Sequence, residues 1–208
     1  NPQQLLDSYK VTIIYSIVAT VLGVVVMAML AYPLSRPNYK YKKIATFFIF
    51  FTMLFSGGLI PTYIWITRYL HLGDTIWVYI LPCLVNAFHV IVIRSFFQLQ
   101  TFFKIVMPLS KPVIATISLL TLLSRWNDWN TALIYIKSSN LYSLQYLLQK
   151  ILREAEFVKN MAESSPVAGV DLDLSNLPSV TIRFAMCMVA AGPMLIIFPF
   201  YQKYFAKG

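Results

Sequence analysis

A chain of 208 residues that is 58% hydrophobic and only 12% charged is excluded as an ordinary soluble domain, which carries about twice that share of charge. Its formal charge of +9 does not point to nucleic acid, because no basic run interleaves with aromatics on a polar face; the cations instead fix orientation in a lipid bilayer. Cys83 and Cys187 stand singly in apolar runs as packing residues, and two distant His residues without an acid cluster predict no metal site.

The chain opens on a polar stretch, residues 1–10, with no initiator Met and no cleavable signal peptide. Apolar stretches then follow at 11–32, 44–66, 75–97, 105–136 and 181–201, each long enough for a membrane helix at about 20 residues. Helix is the required state, since a lone strand in lipid leaves its backbone polar groups unpaired. The expected fold class is all-α: a polytopic membrane protein with five transmembrane helices in a single domain over 1–208. The stretch 105–136 is too long for one straight span, so its first turns, near Pro108 and Pro112, are expected at the interface.

The connections set the orientation. Residues 35–43 carry Arg36, Lys40, Lys42 and Lys43 with no acid, and belong in the cytoplasm. The connection at 68–74 is then outside, with residues 71–73 as a tight turn, and Arg94, Lys104 and Lys111 return the chain inside. The loop 137–180 carries Glu154, Glu156, Glu163, Asp171 and Asp173 and belongs outside, whereas the tail, with Lys203 and Lys207, is inside. This places the N-terminus outside, an awkward start without a signal peptide, and one further helix upstream is expected to resolve it. Leu and Ile at helical spacing over 141–152 predict an amphipathic helix at the membrane surface, and 164–178 reads as irregular loop.

Six strings of this sequence occur together in one known family: Ala31-Tyr-Pro-Leu-Ser-Arg36, Phe55-Ser-Gly-Gly-Leu-Ile-Pro-Thr62, Asp74-Thr-Ile-Trp-Val-Tyr-Ile-Leu-Pro82, Phe103-Lys-Ile-Val-Met-Pro-Leu-Ser-Lys-Pro112, Trp126-Asn-Asp-Trp-Asn130 and Tyr201-Gln-Lys-Tyr-Phe205. In this order the chain resembles the binding-protein-dependent permeases of type I carbohydrate ABC importers, in the branch that handles oligosaccharides such as maltose, alginate or pectin fragments. The resemblance implies a family core of six helices, the first lying upstream of Asn1. It implies half of a translocation pathway working by alternating access, in a bacterial cytoplasmic (inner) membrane with a cytoplasmic C-terminus. The implied partners are a second homologous permease, two ABC ATPases, an extracytoplasmic sugar-binding protein and the oligosaccharide itself. ATP and Mg belong to the ATPases; this chain needs no cofactor and performs no chemistry on its cargo.

The coupling region departs from the family pattern. The family's coupling loop carries Glu-Ala-Ala and folds into a short helix seated in the ATPase. Here its end survives as Ile105-Val-Met-Pro108, but Gln98-Leu-Gln-Thr101 stands where several helical turns belong. Either a segment is missing at this point, which the intact flanking strings favour, or this copy is a non-coupling variant. What remains of the coupling region, about 98–112, assigns ATPase contact to Lys104, Pro108, Ser110, Lys111 and Pro112, the prolines fixing backbone angles between an interfacial helix and the next span.

The remaining candidates each carry two readings. Gly57, Gly58 and Pro61 form either a gate hinge or a packing notch. Trp126, Asn127, Trp129 and Asn130, with residues three apart sharing a face, either line the sugar pathway through indole stacking and paired amide bonds or form an aromatic belt with interhelical Asn contacts. Arg125 and Asp128 are spaced to pair. Asn86 joins the pathway candidates, and His89 is expected to bond a neighbouring helix. Ser164, Ser165, Pro166, Val167, Ala168 and Gly169 are the docking candidates for a binding protein, or else a solvated linker. The alternative function is an ion-coupled secondary transporter of a small solute, which predicts inverted repeats and buried mid-membrane acids; no repeat occurs, and Asp128 is the only acid within a span. An intramembrane enzyme would need a nucleophile with its base or a metal motif, and neither occurs.

Overall fold

Residues 11–32 hold no proline and one glycine, so nothing in the sequence stops a helix there, and α1 (Pro2–Ser35) runs unbroken through them. The computed structural model describes residues 2–98, 103–164 and 179–205. After α1 come α2 (Lys42–Leu54), α3 (Leu59–Ile64) continued by a π turn at Trp65–Tyr69, and α4 (Trp77–Ile80) with a 3₁₀ turn at Leu81–Cys83. Then follow α5 (Ala87–Gln98), α6 (Phe103–Trp126), α7 (Asn130–Tyr135), α8 (Leu144–Ser164) and α9 (Ser179–Phe205); among the described residues there is no strand.

The expected stretches are helical, but two expected as single spans are bent. Only Gln3–Ser35 is long and apolar enough to cross a membrane unbroken among the described residues. The 44–66 stretch is a pair, Lys42–Leu54 and Leu59–Tyr69, bent by 111°. The 75–97 stretch is Trp77–Cys83 and Ala87–Gln98, bent by 49°. The 105–136 stretch is interrupted at residues 127–129, while Pro108 and Pro112 lie within the unbroken helix α6. Hydropathy averages over a window and cannot see these breaks, because each contains only a few polar or small residues. The polar opening is helical as well: α1 begins at Pro2, and Ser8 is fully buried. The helix expected over 141–152 runs on to Ser164, through the strong helix formers Arg153, Glu154, Ala155 and Glu156. The turn expected at residues 71–73 falls at Gly73 and Asp74, and His71 and Asp74 take the left-handed conformation, at φ 51° and 56°.

α1 is the axis of the bundle, packing on α5, α6 and α8, with α9 covering α6 and α8 and α2 resting on α5. Its inward face is rich in small and hydroxylated residues: Ser8, Thr12, Ser16, Ala19, Thr20, Ala31 and Ser35 are buried, alongside the larger Tyr15, Met27 and Leu34. Its outward face carries Ile14, Ile17, Val21, Val25 and Met29. This reverses the soluble pattern for a physical reason: lipid competes for large apolar side chains, so helices associate where small residues allow close approach. The Ser8, Ser16 and Thr20 hydroxyls have no hydrogen-bond partner, so their contribution is small size. Gly23 extends the same face, where a Cβ would stand 3.2 Å from the carbonyl oxygen of Leu84, at the break before α5.

Three apolar clusters follow one another along α1. Leu5 and Tyr9 join Trp126, Leu144, Val189 and Met194. Tyr15 and Ala19 join Ile66, Tyr79, Ala132 and Leu147. Met27, Ala31 and Leu34 join Val90, Ile93 and Ile117.

The α2–α3 elbow is set by Gly58, whose φ of 83° and ψ of 176° lie in a region open essentially only to glycine. The Gly58 carbonyl accepts from Thr62 Oγ1 at 2.7 Å, and Pro61 sits in the first turn of α3, where its missing N–H costs nothing. Gly58→Ala is therefore expected to destabilise the chain by about 1–3 kcal/mol. Gly57→Ala, at an ordinary φ with open space around the new methyl, is expected to stay near neutral. Thermal unfolding of both variants in detergent checks this, and equal effects would remove Gly58 as the determinant of the elbow.

Candidate functional site

The break at residues 127–129 lies at the end of an apolar helix, where backbone groups cannot turn to water, so each exposed end must find a partner within the protein. The α7 end is capped by Asp128, whose Oδ1 accepts from the Thr131 N–H at 3.0 Å and whose Oδ2 accepts from Thr131 Oγ1 at 2.8 Å. Arg125 sits 3.7 Å from the same carboxylate, with both side chains mostly buried, as their spacing predicts. Tyr15 on α1 donates its hydroxyl to the Arg125 carbonyl at 2.9 Å, closing the end of α6. Ser143 Oγ donates to the Asp128 carbonyl at 2.9 Å, and Thr12 Oγ1 accepts from the Leu144 N–H at 2.8 Å, capping α8. Tyr15 stacks on Tyr79 at 4.4 Å between ring centres, and the Tyr79 hydroxyl reaches the Leu141 carbonyl at 2.9 Å. One buried knot thus ties α1, α4, α6, α7 and α8.

A second tie lies at Pro193, inside α9. Pro193 has no N–H to give to the Val189 carbonyl one turn back. Tyr9 supplies a hydroxyl to that carbonyl, and Trp126 Nε1 donates to the adjacent Ala190 carbonyl at 3.0 Å. A third tie joins the loops: the Asp74 carboxylate accepts from the Lys137 and Ser138 N–H groups at 2.9 Å each and from Ser138 Oγ at 2.5 Å, and the Asp74 N–H donates to the Tyr135 carbonyl at 3.0 Å. The Ser138 hydroxyl bond first, then the two backbone N–H groups, hold the Asp74 carboxyl below its ordinary value.

These contacts sort the pathway candidates. Trp126 does not face open space: it is 2% exposed, and its indole N–H is committed to α9. It does not share a face with Trp129 either, since the helix ends between them. Trp129 is half-buried on the other side, with the Arg153 guanidinium 5.7 Å over its ring and a cavity of about 120 Å³ alongside, shared with Leu133, Tyr146 and Gln149. Asn127 and Asn130 are exposed, Asn127 bonding only the Leu123 carbonyl at 3.0 Å. Asn86 is exposed and caps α5 through the His89 N–H at 3.2 Å. The buried Nδ1 of His89 has no partner among the described residues. Gly57, Gly58 and Pro61 lie together at the α2–α3 elbow.

Pro112 lies in α6, but the side chains of Lys104, Pro108, Ser110 and Lys111 and residues 99–102 are outside the described ones. Ser164 ends α8, and Ser165, Pro166, Val167, Ala168 and Gly169 also fall outside. Among the described residues no group of three His, Cys, Asp or Glu could hold a metal. Sequence reasoning passed over Tyr9, Thr12, Tyr15, Tyr79 and Ser143; the available signal was hydroxyl-bearing residues at three- and four-residue steps inside an apolar run.

No family model matches the chain. It is 35% identical to the polygalacturonan/rhamnogalacturonan transport system permease protein YtcP of Bacillus subtilis over 97% of its own length and 74% of that protein's. It is 34% identical to protein LplC of the same organism, over 98% and 72%. The 224 aligned positions with the former exceed the 208 residues present here, so that permease holds residues with no counterpart in this chain. Among solved structures, a bacterial ABC transporter involved in the import of the acidic polysaccharide alginate matches with a TM-score of 0.77 and 26% identity, over 97% of this chain and 75% of that one.

If Tyr9 serves to satisfy the carbonyl that Pro193 frees, Tyr9→Phe is expected to cost about 1 kcal/mol, within the range for membrane hydrogen bonds and unpaired carbonyls. In a Pro193→Ala background, where the backbone N–H returns, the same substitution is expected to cost close to nothing. A double-mutant cycle on unfolding in detergent measures the difference; strictly additive effects would mean that Tyr9 and Pro193 are unrelated.

Proposed function

This chain belongs to the transmembrane permeases of ABC sugar importers, and on that premise we propose that it forms half of an oligosaccharide pathway worked by alternating access. The observation that carries the reading is a polar break inside an apolar span, on a chain that matches sugar permeases over nearly its whole length. Asn127, Trp129 and Asn130 are the groups offered to cargo: two exposed amides for sugar hydroxyls and a half-buried indole for a sugar ring face. Trp126, Tyr15 and Asp128 hold the break in shape instead of touching cargo. Asp128, the acid within the apolar 105–136 stretch, is committed to the α7 cap and to Arg125, which argues against a proton relay and against the ion-coupled alternative.

A second permease would complete the pathway, an extracytoplasmic binding protein would deliver the sugar to the end carrying residues 164–169, and two ATPases, holding ATP and Mg, would couple near Lys104, Pro108, Ser110, Lys111 and Pro112. The C-terminus is assigned to the cytoplasm by the acid-free connection 35–43 and the basic tail.

In liposomes containing the assembled transporter, uptake is expected to require both ATP and the binding protein; gradient-driven uptake without either would overturn the assignment. Trp129→Ala is expected to slow import by about threefold to tenfold, the scale of one ring contact, while leaving assembly intact. Membrane-impermeant labelling of cysteines placed at residues 164–169 is expected from outside only. Labelling of these positions from the side that also reaches Lys40 would reverse the topology.

A further inference from the structure

Between α2 and the end of α5 lies an open cavity of about 560 Å³ lined by Lys42, Lys43, Thr46, Phe47, Phe50 and Arg94. We propose that this cavity is a binding site for an anionic phospholipid, its phosphate held by Lys42, Lys43 and Arg94 and its acyl chain lying along Phe47 and Phe50.

Charge comes first. The chain's acids are absent from 8–73 and from 75–127, so no carboxylate of its own stands on either helix that lines the cavity. Neither of the ion pairs among the described residues involves these three cations. Two of the cations are instead held by neutral groups. Arg94 Nη1 donates to Thr46 Oγ1 at 3.0 Å, and Thr46 donates in turn to the Lys42 carbonyl at 2.6 Å. Gln98 presents its amide oxygen to Lys42 Nζ at 3.1 Å and Arg94 Nε at 3.3 Å, the orientation that two cationic donors require. The positive charges are thus oriented but not neutralised. Lys42 is also the first residue of α2, whose leading N–H groups have no side-chain cap, so the helix terminus adds to the same field.

The second line is polarity along α2. Lys42, Lys43, Thr46, Phe47 and Phe50 recur at three- and four-residue steps, so one face passes from ammonium groups to phenyl rings within two turns. Phe47 is 63% exposed and Phe50 45%, and α2 buries none of its residues. A free phosphate or an acidic peptide would satisfy the cations and leave the rings bare. A phospholipid matches both ends, and basic pockets between membrane helices are known to take anionic headgroups.

The assembled transporter carrying the full chain, purified in mild detergent, is tested by native mass spectrometry with phosphatidylglycerol against phosphatidylcholine. Phosphatidylglycerol is expected to be retained preferentially, and the combined Lys42→Gln, Lys43→Gln, Arg94→Gln variant to lose about tenfold or more of that retention. The charge-preserving Lys42→Arg, Lys43→Arg variant is expected to keep it, as is Lys10→Gln, a cation on α1 away from this cavity. Inorganic phosphate is expected not to displace the lipid; displacement would assign the site to free phosphate. Should the triple variant fail to fold, wild-type protein is labelled with phosphatidylglycerol bearing a photoreactive acyl chain, and crosslinks are expected within residues 42–54. Equal retention of the two lipids, undiminished retention by the folded triple variant, or crosslinks confined to other helices would overturn the proposal.

Discussion

Inside a bilayer no water is available to take up a broken helix's unpaired backbone groups, so several breaks in this chain depend on a side chain from another element. α1 is that source. Its hydroxyls are spaced at helical steps along one face, and three of them reach the ends that lie furthest away in sequence. Thr12 caps α8, Tyr15 closes α6, and Tyr9 meets the carbonyl that Pro193 leaves open in α9. An α1 made of leucine would have served lipid equally well and left those ends without partners.

The same constraint explains the inversion of inside and outside. Small and hydroxylated residues face inward because lipid already solvates the large apolar ones. Close approach then becomes the resource, as at Gly23 against Leu84. Polar side chains are tolerated where breaks occur, and Asn86, Asn127 and Asn130 are exposed there. The structural ties and the groups proposed for cargo therefore share a short stretch of chain, divided residue by residue: Trp126 and Asp128 hold the break, while Asn127 is exposed and Trp129 is half-buried beside a small cavity.

Charge is distributed by the same logic on a larger scale. Acids are confined to three single positions before the acid-bearing region beyond residue 150, and each of those three is engaged: Asp7 with Lys10, Asp74 in the loop tie, Asp128 in the cap. The cations at the α2–α5 end have no such partner. Among the described residues Lys42, Lys43 and Arg94 thus have no acid beside them, which is the charge imbalance the lipid proposal rests on.

The amino-acid sequence by itself determines the solvent, because a run such as 11–32 can be stable only in lipid or in a core too large for 208 residues, and the spacing of the acids and cations divides the connections into two sets. The six strings carry the family and, with it, the fold. The Arg125–Asp128 pair is readable because a separation of three residues keeps the two side chains within reach even with Asp128 just past the end of α6. The ties between Tyr9 and Val189, Trp126 and Ala190, Thr12 and Leu144, and Asp74 and Ser138 are not readable in that way. Nothing in local spacing selects one distant carbonyl over another; that choice belongs to the tertiary packing, which alone turns Trp126 inward and leaves Trp129 at the edge.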